Sequence, residues 1–222
     1  MIARLVFVGV VLFPVCVGAG PQSRPTEQRT GHLFPPENLG LLESPDRDDW
    51  QKPEQIMDAL GIAEGSKVAD IGIGSGWFTI RLARRVGPNG LVYAEDVQRQ
   101  MLEATRRRVS REGLKNVETR QGTNTDPNLP VRTLDAILMV DMYHEVDVDD
   151  RVPFLRNLAA ALKPNGRIGV VNYKPGQGGP GPAPNEGVRV DSSAVEADAR
   201  AAGLRVRRRE TLPFHYLLVL GR

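Results

Sequence analysis

Apolar positions along the chain alternate between two patterns. Leu155, Leu158, Ala159 and Leu162 recur at the spacing of one helix face, whereas Ala136, Ile137, Leu138, Met139 and Val140 form an unbroken apolar run. Such a run fits a strand covered on both sides, as in a parallel sheet between helices. Extending both criteria predicts helices over 53–60, 77–86, 99–112, 149–162 and 192–202. Strands are predicted over 67–73, 91–96, 117–121, 134–141, 167–173, 204–211 and 215–220. The order begins helix, strand, helix, strand, helix, strand, so a doubly wound α/β fold with three layers is expected. Only Leu212, Pro213 and Phe214 separate the final two strands, a link short enough to require antiparallel pairing. The tripeptides Pro88-Asn89-Gly90 and Pro164-Asn165-Gly166 mark two helix-to-strand junctions; each proline stops a helix and each glycine is expected to take the positive φ of a tight turn.

The beginning of the chain follows neither pattern. Arg4 precedes an apolar run over 5–17 and then the small residues Gly18, Ala19 and Gly20, the signature of a secretory signal over 1–19. The run falls short of the ~20 apolar residues of a membrane span, so cleavage after Ala19 and export to a periplasmic or extracellular space is the expectation. An uncleaved anchor with the domain on the cytoplasmic side is the alternative. Residues 20–49 hold Pro21, Pro25, Pro35, Pro36 and Pro45 and read as an arm or linker, leaving 50–222 as the domain. Between Lys174 and Val190 lies a Gly/Pro-rich stretch, expected to be a flap over the site or an unstructured segment.

Composition narrows the partners. The chain has 222 residues, 41% hydrophobic and 25% charged, which is ample for one core. Its 29 Lys and Arg against 27 Asp and Glu leave +2, too little for a general nucleic-acid surface. Arg106, Arg107 and Arg108, and Arg205 with Arg207, Arg208 and Arg209, are expected to be solvated faces. The single cysteine, Cys16, lies within the signal, so disulfides and cysteine chemistry are excluded from the domain. No cluster has metal-ligand spacing.

The chemistry concentrates where the first strand ends. Asp70, Gly72, Gly74 and Gly76 precede the helix beginning at Trp77. Alternate glycines let backbone pass close to a ligand, and the following helix N-terminus offers free N–H groups to a carboxylate. Asp70 supplies a negative charge suited to an ammonium or sulfonium. At the end of the second strand, Glu95 and Asp96 place a carboxylate where it can accept both hydroxyls of a ribose. A nicotinamide-type Gly-x-Gly-x-x-Gly pattern fails in both frames, since Trp77 or Thr79 stands where its third glycine belongs.

These residues resemble the class I S-adenosylmethionine-dependent methyltransferases, whose first motif is an acidic residue followed by Gly-x-Gly-x-Gly. The resemblance runs over about residues 50–222 and implies a Rossmann-like, mostly parallel seven-stranded sheet with an antiparallel last strand. It implies S-adenosylmethionine as cofactor, held by Asp70, Gly72, Gly74 and Gly76, with the ribose on Asp96 or, as the lesser candidate, Glu95. Gly122, Thr123 and Asn124 would lie at the adenine, although Thr123 stands where many members have an acidic residue. Asp141 ends the strand bordering cofactor and acceptor. Arsenic-methylating members rely on cysteines that this domain lacks.

Asp141, Met142, Tyr143, His144 and Glu145 form the natural catalytic segment at the carboxyl end of the fourth strand. His144 is the candidate base, with Glu145 orienting it or Tyr143 donating a hydrogen bond; packing of the loop explains the histidine equally well. His32 and His215 are the weaker histidine candidates. Trp50 and Gln51 precede a helix that often covers the cofactor in the family, so an aromatic lid or plain packing is expected there. The expected activity is methyl transfer to a small-molecule acceptor, without a nucleic acid or a stable protein partner. A protein of the same fold that binds S-adenosylmethionine or S-adenosylhomocysteine without transfer, or uses the fold only as a scaffold, is the alternative. Export is the reason to keep that alternative, because S-adenosylmethionine is made in the cytoplasm and an exported enzyme would need a supply.

Overall fold

The computed structural model describes residues 33–181, 183 and 188–222. The expected signal over 1–19, the arm up to residue 32 with His32, and residues 182 and 184–187 of the Gly/Pro-rich stretch lie outside these. Among the described residues, no helix is long and apolar enough to cross a membrane.

Seven strands form one sheet: β1 (Lys67–Ile71), β2 (Leu91–Asp96), β3 (Val117–Gln121), β4 (Leu134–Val140), β5 (Leu162–Tyr173), β6 (Arg205–Thr211) and β7 (His215–Gly221). Their spatial order is β3-β2-β1-β4-β5-β7-β6. The first five are mutually parallel, and β7 runs antiparallel to both β5 and β6. The order reverses at β1 and β4, which opens a crevice at the carboxyl edge of those two strands. Because β7 is reversed, its first residue, His215, lies at that same edge, opposite Tyr173.

The helices are α1 (Arg47–Gln51), α2 (Pro53–Ala59), α3 (Trp77–Val86), α4 (Arg99–Arg111), α5 (Val148–Ala161) and α6 (Ser192–Ala201). Side-chain alternation along the strands assigns them to two faces. Val68, Val92, Ala136, Leu138, Val171, Leu217 and Val219 pack with α2 and α3. Ala69, Ile71, Ile137, Met139, Ile168, Val170, Leu218 and Leu220 pack with α5 and α6. Full burial of one such aliphatic side chain is worth ~1.5–3 kcal/mol, so these two layers carry the fold.

Two expectations are corrected. Gly90 and Gly166 do not adopt positive φ; it is Gly87, the residue capping α3, that does, at 64°. Gly90 and Gly166 are instead required by close approach, since a Cβ would lie 2.7 Å from the Ser66 carbonyl and 2.8 Å from that of Leu134. The strand after α5 begins at Leu162 rather than at 167, and its extra residues are accommodated by a register shift against β4 between Leu134 and Ala136. Within the described part of the arm, 33–49, a 3-10 helix over Pro36–Leu42 precedes α1.

The two basic clusters meet acidic or polar neighbours. Arg108 pairs with Glu43, Arg209 with Glu196 and Arg208 with Glu210, while Arg106 donates to the Thr119 hydroxyl. The described ends of the Gly/Pro-rich stretch are tied to the β6–β7 link: Lys174 Nζ donates to the Leu212 carbonyl at 2.7 Å and Gln177 Nε2 to that of Pro213 at 3.0 Å. Arg189 donates back to the Lys174 carbonyl at 2.9 Å.

Candidate functional site

The even positions of β1 and β2 put Asp70 and Asp96 on the face that carries α2 and α3, at the carboxyl edge of the sheet. Asp70 is buried and accepts from the Thr79 hydroxyl at 2.6 Å. Burial pushes its carboxyl up to about 6; the Thr79 hydrogen bond and the Arg47 charge oppose that rise, and the Asp96 charge adds to it. Asp96 Oδ1 accepts from the Gln98 N–H at 2.9 Å and Oδ2 from the Gly74 N–H at 3.4 Å, so this carboxylate is aimed at the glycine loop. Glu95, one residue earlier, points through the opposite face to the place where a Cβ on Gly122 would stand. Of the two carboxylates, Asp96 is therefore the one that joins the loop.

Gly74 has φ 51°, and a Cβ there would approach Leu42 Cδ1 to 2.8 Å. Gly72, at φ 69°, has the Met142 side chain at the same distance, so the segment after β4 closes on the loop. Gly76 caps α3 in the left-handed region, and no side chain caps the first turn of that helix. Its leading N–H groups thus face the loop as an anion site beside two buried carboxylates. A zwitterion with a carboxylate, an ammonium and a nearby diol matches this donor and acceptor set.

A second group completes the edge. Asp141 sits at φ 54°, an uncommon conformation for a non-glycine residue. Its Oδ2 lies 3.1 Å from His215 Nε2. His215 is fully buried, 4.0 Å from the Tyr173 ring, and stacks on Trp50 with 8° between planes at 5.9 Å. Arg47 lies 4.4 Å over the Trp77 ring and donates to the Leu42 carbonyl at 2.6 Å. Burial lowers its guanidinium pKa, and the charges of Asp141, Tyr173 and Asp70 oppose that. The arm thus bridges the acidic pair and the histidine. Farther along it, the Phe34 carbonyl accepts from Gln98 Nε2 at 3.0 Å and its N–H donates to Glu145 Oε1 at 3.3 Å.

The expected residues divide. Asp70, Gly72, Gly74, Gly76 and Asp96 come together. Gly122 follows β3, and its N–H donates to the Asp96 carbonyl at 3.3 Å. Thr123 spends its hydroxyl on closing the 123–126 turn with Asp126, and Asn124 lies half-buried within it. Tyr143 does not join the site: its ring is fully buried on the α5–α6 side and its hydroxyl donates to Asp198 at 2.8 Å. Burial, the Asp198 hydrogen bond and the Asp198 charge raise that phenol far above its ordinary range. His144 is half-buried in the short 3-10 turn Tyr143–Glu145, and Glu145 is engaged by the arm. Thr79, Arg47, Tyr173 and the pairing of His215 with Asp141 were missed. The signal for His215 was its parity with Leu217 and Val219 on a strand whose reversal starts it at the site edge. No group of three or more potential metal ligands occurs among the described residues.

A family model described as a methyltransferase domain matches residues 68–166. The crystal structure of a SAM-dependent methyltransferase from Aquifex aeolicus is 30% identical and superposes with a TM-score of 0.78, covering 84% of this chain and 98% of that one. The ubiquinone/menaquinone biosynthesis C-methyltransferase of Pasteurella multocida is 31% identical over 118 residues, which is 53% of this chain and 43% of the relative. The nocamycin O-methyltransferase of Saccharothrix syringae is 30% identical over 121 residues, 54% of this chain and 42% of that protein. The match thus spans less than half the length of these curated relatives. The chain belongs to the S-adenosylmethionine-dependent methyltransferases.

Proposed function

We propose that this chain transfers a methyl group from S-adenosylmethionine to a small molecule. The observation that carries the proposal is the buried Asp70 carboxylate facing the uncapped start of α3, with Asp96 aimed at the same loop. In this assignment Asp70 faces the amino group, the α3 N–H groups the carboxylate, Asp96 the ribose, and residues 122–124 the adenine. When bound, the cofactor supplies a methyl group activated on a sulfonium. The chain's own task is to align the acceptor and to exclude water. Leu42 against Gly74 and Arg47 over Trp77 close the arm over the loop, which suits that task. Small-molecule acceptors are supported by the names of the quinone-biosynthesis and nocamycin relatives.

The test is incubation of the full chain with S-adenosylmethionine and panels of quinols, phenols, amines and thiols, with formation of S-adenosylhomocysteine as readout. Acceptor-dependent formation is expected. Tight cofactor binding without turnover on any panel would favour a non-catalytic protein of this fold.

A further inference from the structure

Two buried atoms at the Asp141–His215 contact lack partners: His215 Nδ1 and Asp141 Oδ1. A carboxylate only accepts hydrogen bonds, so in the neutral imidazole the 3.1 Å contact puts the ring proton on Nε2 and leaves a lone pair on Nδ1. Both orphan atoms are then acceptors. A buried acceptor without a donor is costly, and the two left at this contact call for a ligand that brings hydrogen-bond donors.

What covers the histidine narrows that ligand. The Trp50 indole lies nearly parallel to the imidazole, and the Tyr173 ring closes a third side. Trp50 is only half-buried and sits on α1, a five-residue helix that ends at Lys52 in the left-handed region. Trp50 and Tyr173 thus line the histidine with aromatic surface, which suits a planar acceptor. The titratable groups in contact with the histidine are Asp141, just after β4, and Tyr173 from β5; Arg47 of α1 lies 5.9 Å over the Trp50 ring and Arg189 5.0 Å over the Tyr173 ring.

Resting on the methyltransferase assignment above, we infer that His215, held in its tautomer by Asp141, accepts the proton of a planar hydroxylated acceptor. The hydroxyl oxygen bonds to the methyl carbon as the carbon–sulfur bond breaks, the bonding pair stays on sulfur, and the hydroxyl proton passes to Nδ1. His215 is then a catalytic residue and Asp141 a positioning residue, by the logic that a buried carboxylate fixes a general-base imidazole.

Catechol, un-ionised at neutral pH, and 4-nitrocatechol, largely ionised, serve as probes with the full chain. The variant His215→Gln keeps a donor toward Asp141 but loses the base. Calorimetry is expected to show unchanged S-adenosylmethionine binding, while transfer to catechol falls ~10²–10⁴-fold and transfer to 4-nitrocatechol by less than about tenfold. Equal losses on both probes, or none on either, overturn the role of His215. Cofactor binding by the wild type with transfer to neither probe overturns the acceptor class and leaves the methyltransferase assignment standing. Failure of the folded wild type to bind the cofactor removes that assignment itself. Should His215→Gln not fold, Asp141→Asn is expected to show the same acidity-dependent loss. Nitrogen NMR of the wild type reads the tautomer directly; a proton on Nδ1 contradicts the inference.

Discussion

The Thr79 hydroxyl donates to the Asp70 carboxylate across 2.6 Å, joining the first turn of α3 to the end of β1 in a buried contact. The bond holds a carboxylate ionisable where burial opposes its charge. Replacing Thr79 by Val removes the donor and keeps the shape. Hydrogen bonds to charged groups are worth about 1.5–3 kcal/mol, so S-adenosylmethionine affinity at pH 7.5 is expected to fall about tenfold or more by calorimetry. An unchanged affinity would separate Asp70 from the cofactor.

Asp70 also gives cofactor binding a pH dependence. With its carboxyl raised to about 6, the group is neutral below that pH and has no charge to offer an ammonium. Affinity is expected to weaken about tenfold per pH unit below pH 6 and to level off above it.

The same shift works in the opposite sense on the unliganded fold. A carboxyl whose folded pKa exceeds its unfolded value contributes stability that is fully present below the unfolded pKa and is lost as pH rises through about 6. Asp70→Asn is expected to flatten this dependence and to stabilise the unliganded protein at pH 8 by up to about 3 kcal/mol, read as a raised Tm, while abolishing cofactor binding.

Gly74→Ala places a side chain at φ 51° against Leu42. The backbone term alone is roughly 1–2 kcal/mol. The variant is expected to remain folded by circular dichroism with a lowered Tm and to lose cofactor affinity. Intact affinity would show that the loop does not approach the ligand.

Tyr143→Phe removes only the bond to Asp198. A loss of about 1 kcal/mol in urea unfolding is expected, with cofactor affinity and turnover unchanged. A large loss of turnover would return Tyr143 to the reaction.

The parts of this molecule legible in its sequence are those set by local rules. The apolar run from Ala136 to Val140 marked a central strand, the three-residue link before His215 required a reversed strand, and Asp70 with its alternate glycines marked the crevice. The residues that escaped depend on which distant segments meet. Arg47 reads as one charge in a Pro-rich arm until α1 lays it over Trp77. His215 reads as the start of an apolar strand until that reversal sets it beside Asp141, 74 positions away in sequence. Tyr143 illustrates the converse: sequence proximity to Asp141 suggested chemistry, but its ring turns to the opposite face of the sheet.

The central claim is that the glycine loop with Asp70 and Asp96 holds S-adenosylmethionine, and calorimetric titration of the full chain beside its Asp70→Ala and Asp96→Ala variants tests it most directly. Micromolar binding of S-adenosylmethionine and S-adenosylhomocysteine by the wild type, with loss in both folded variants, is the predicted result. Absence of binding by the folded wild type, or equal binding by all three proteins, would contradict it.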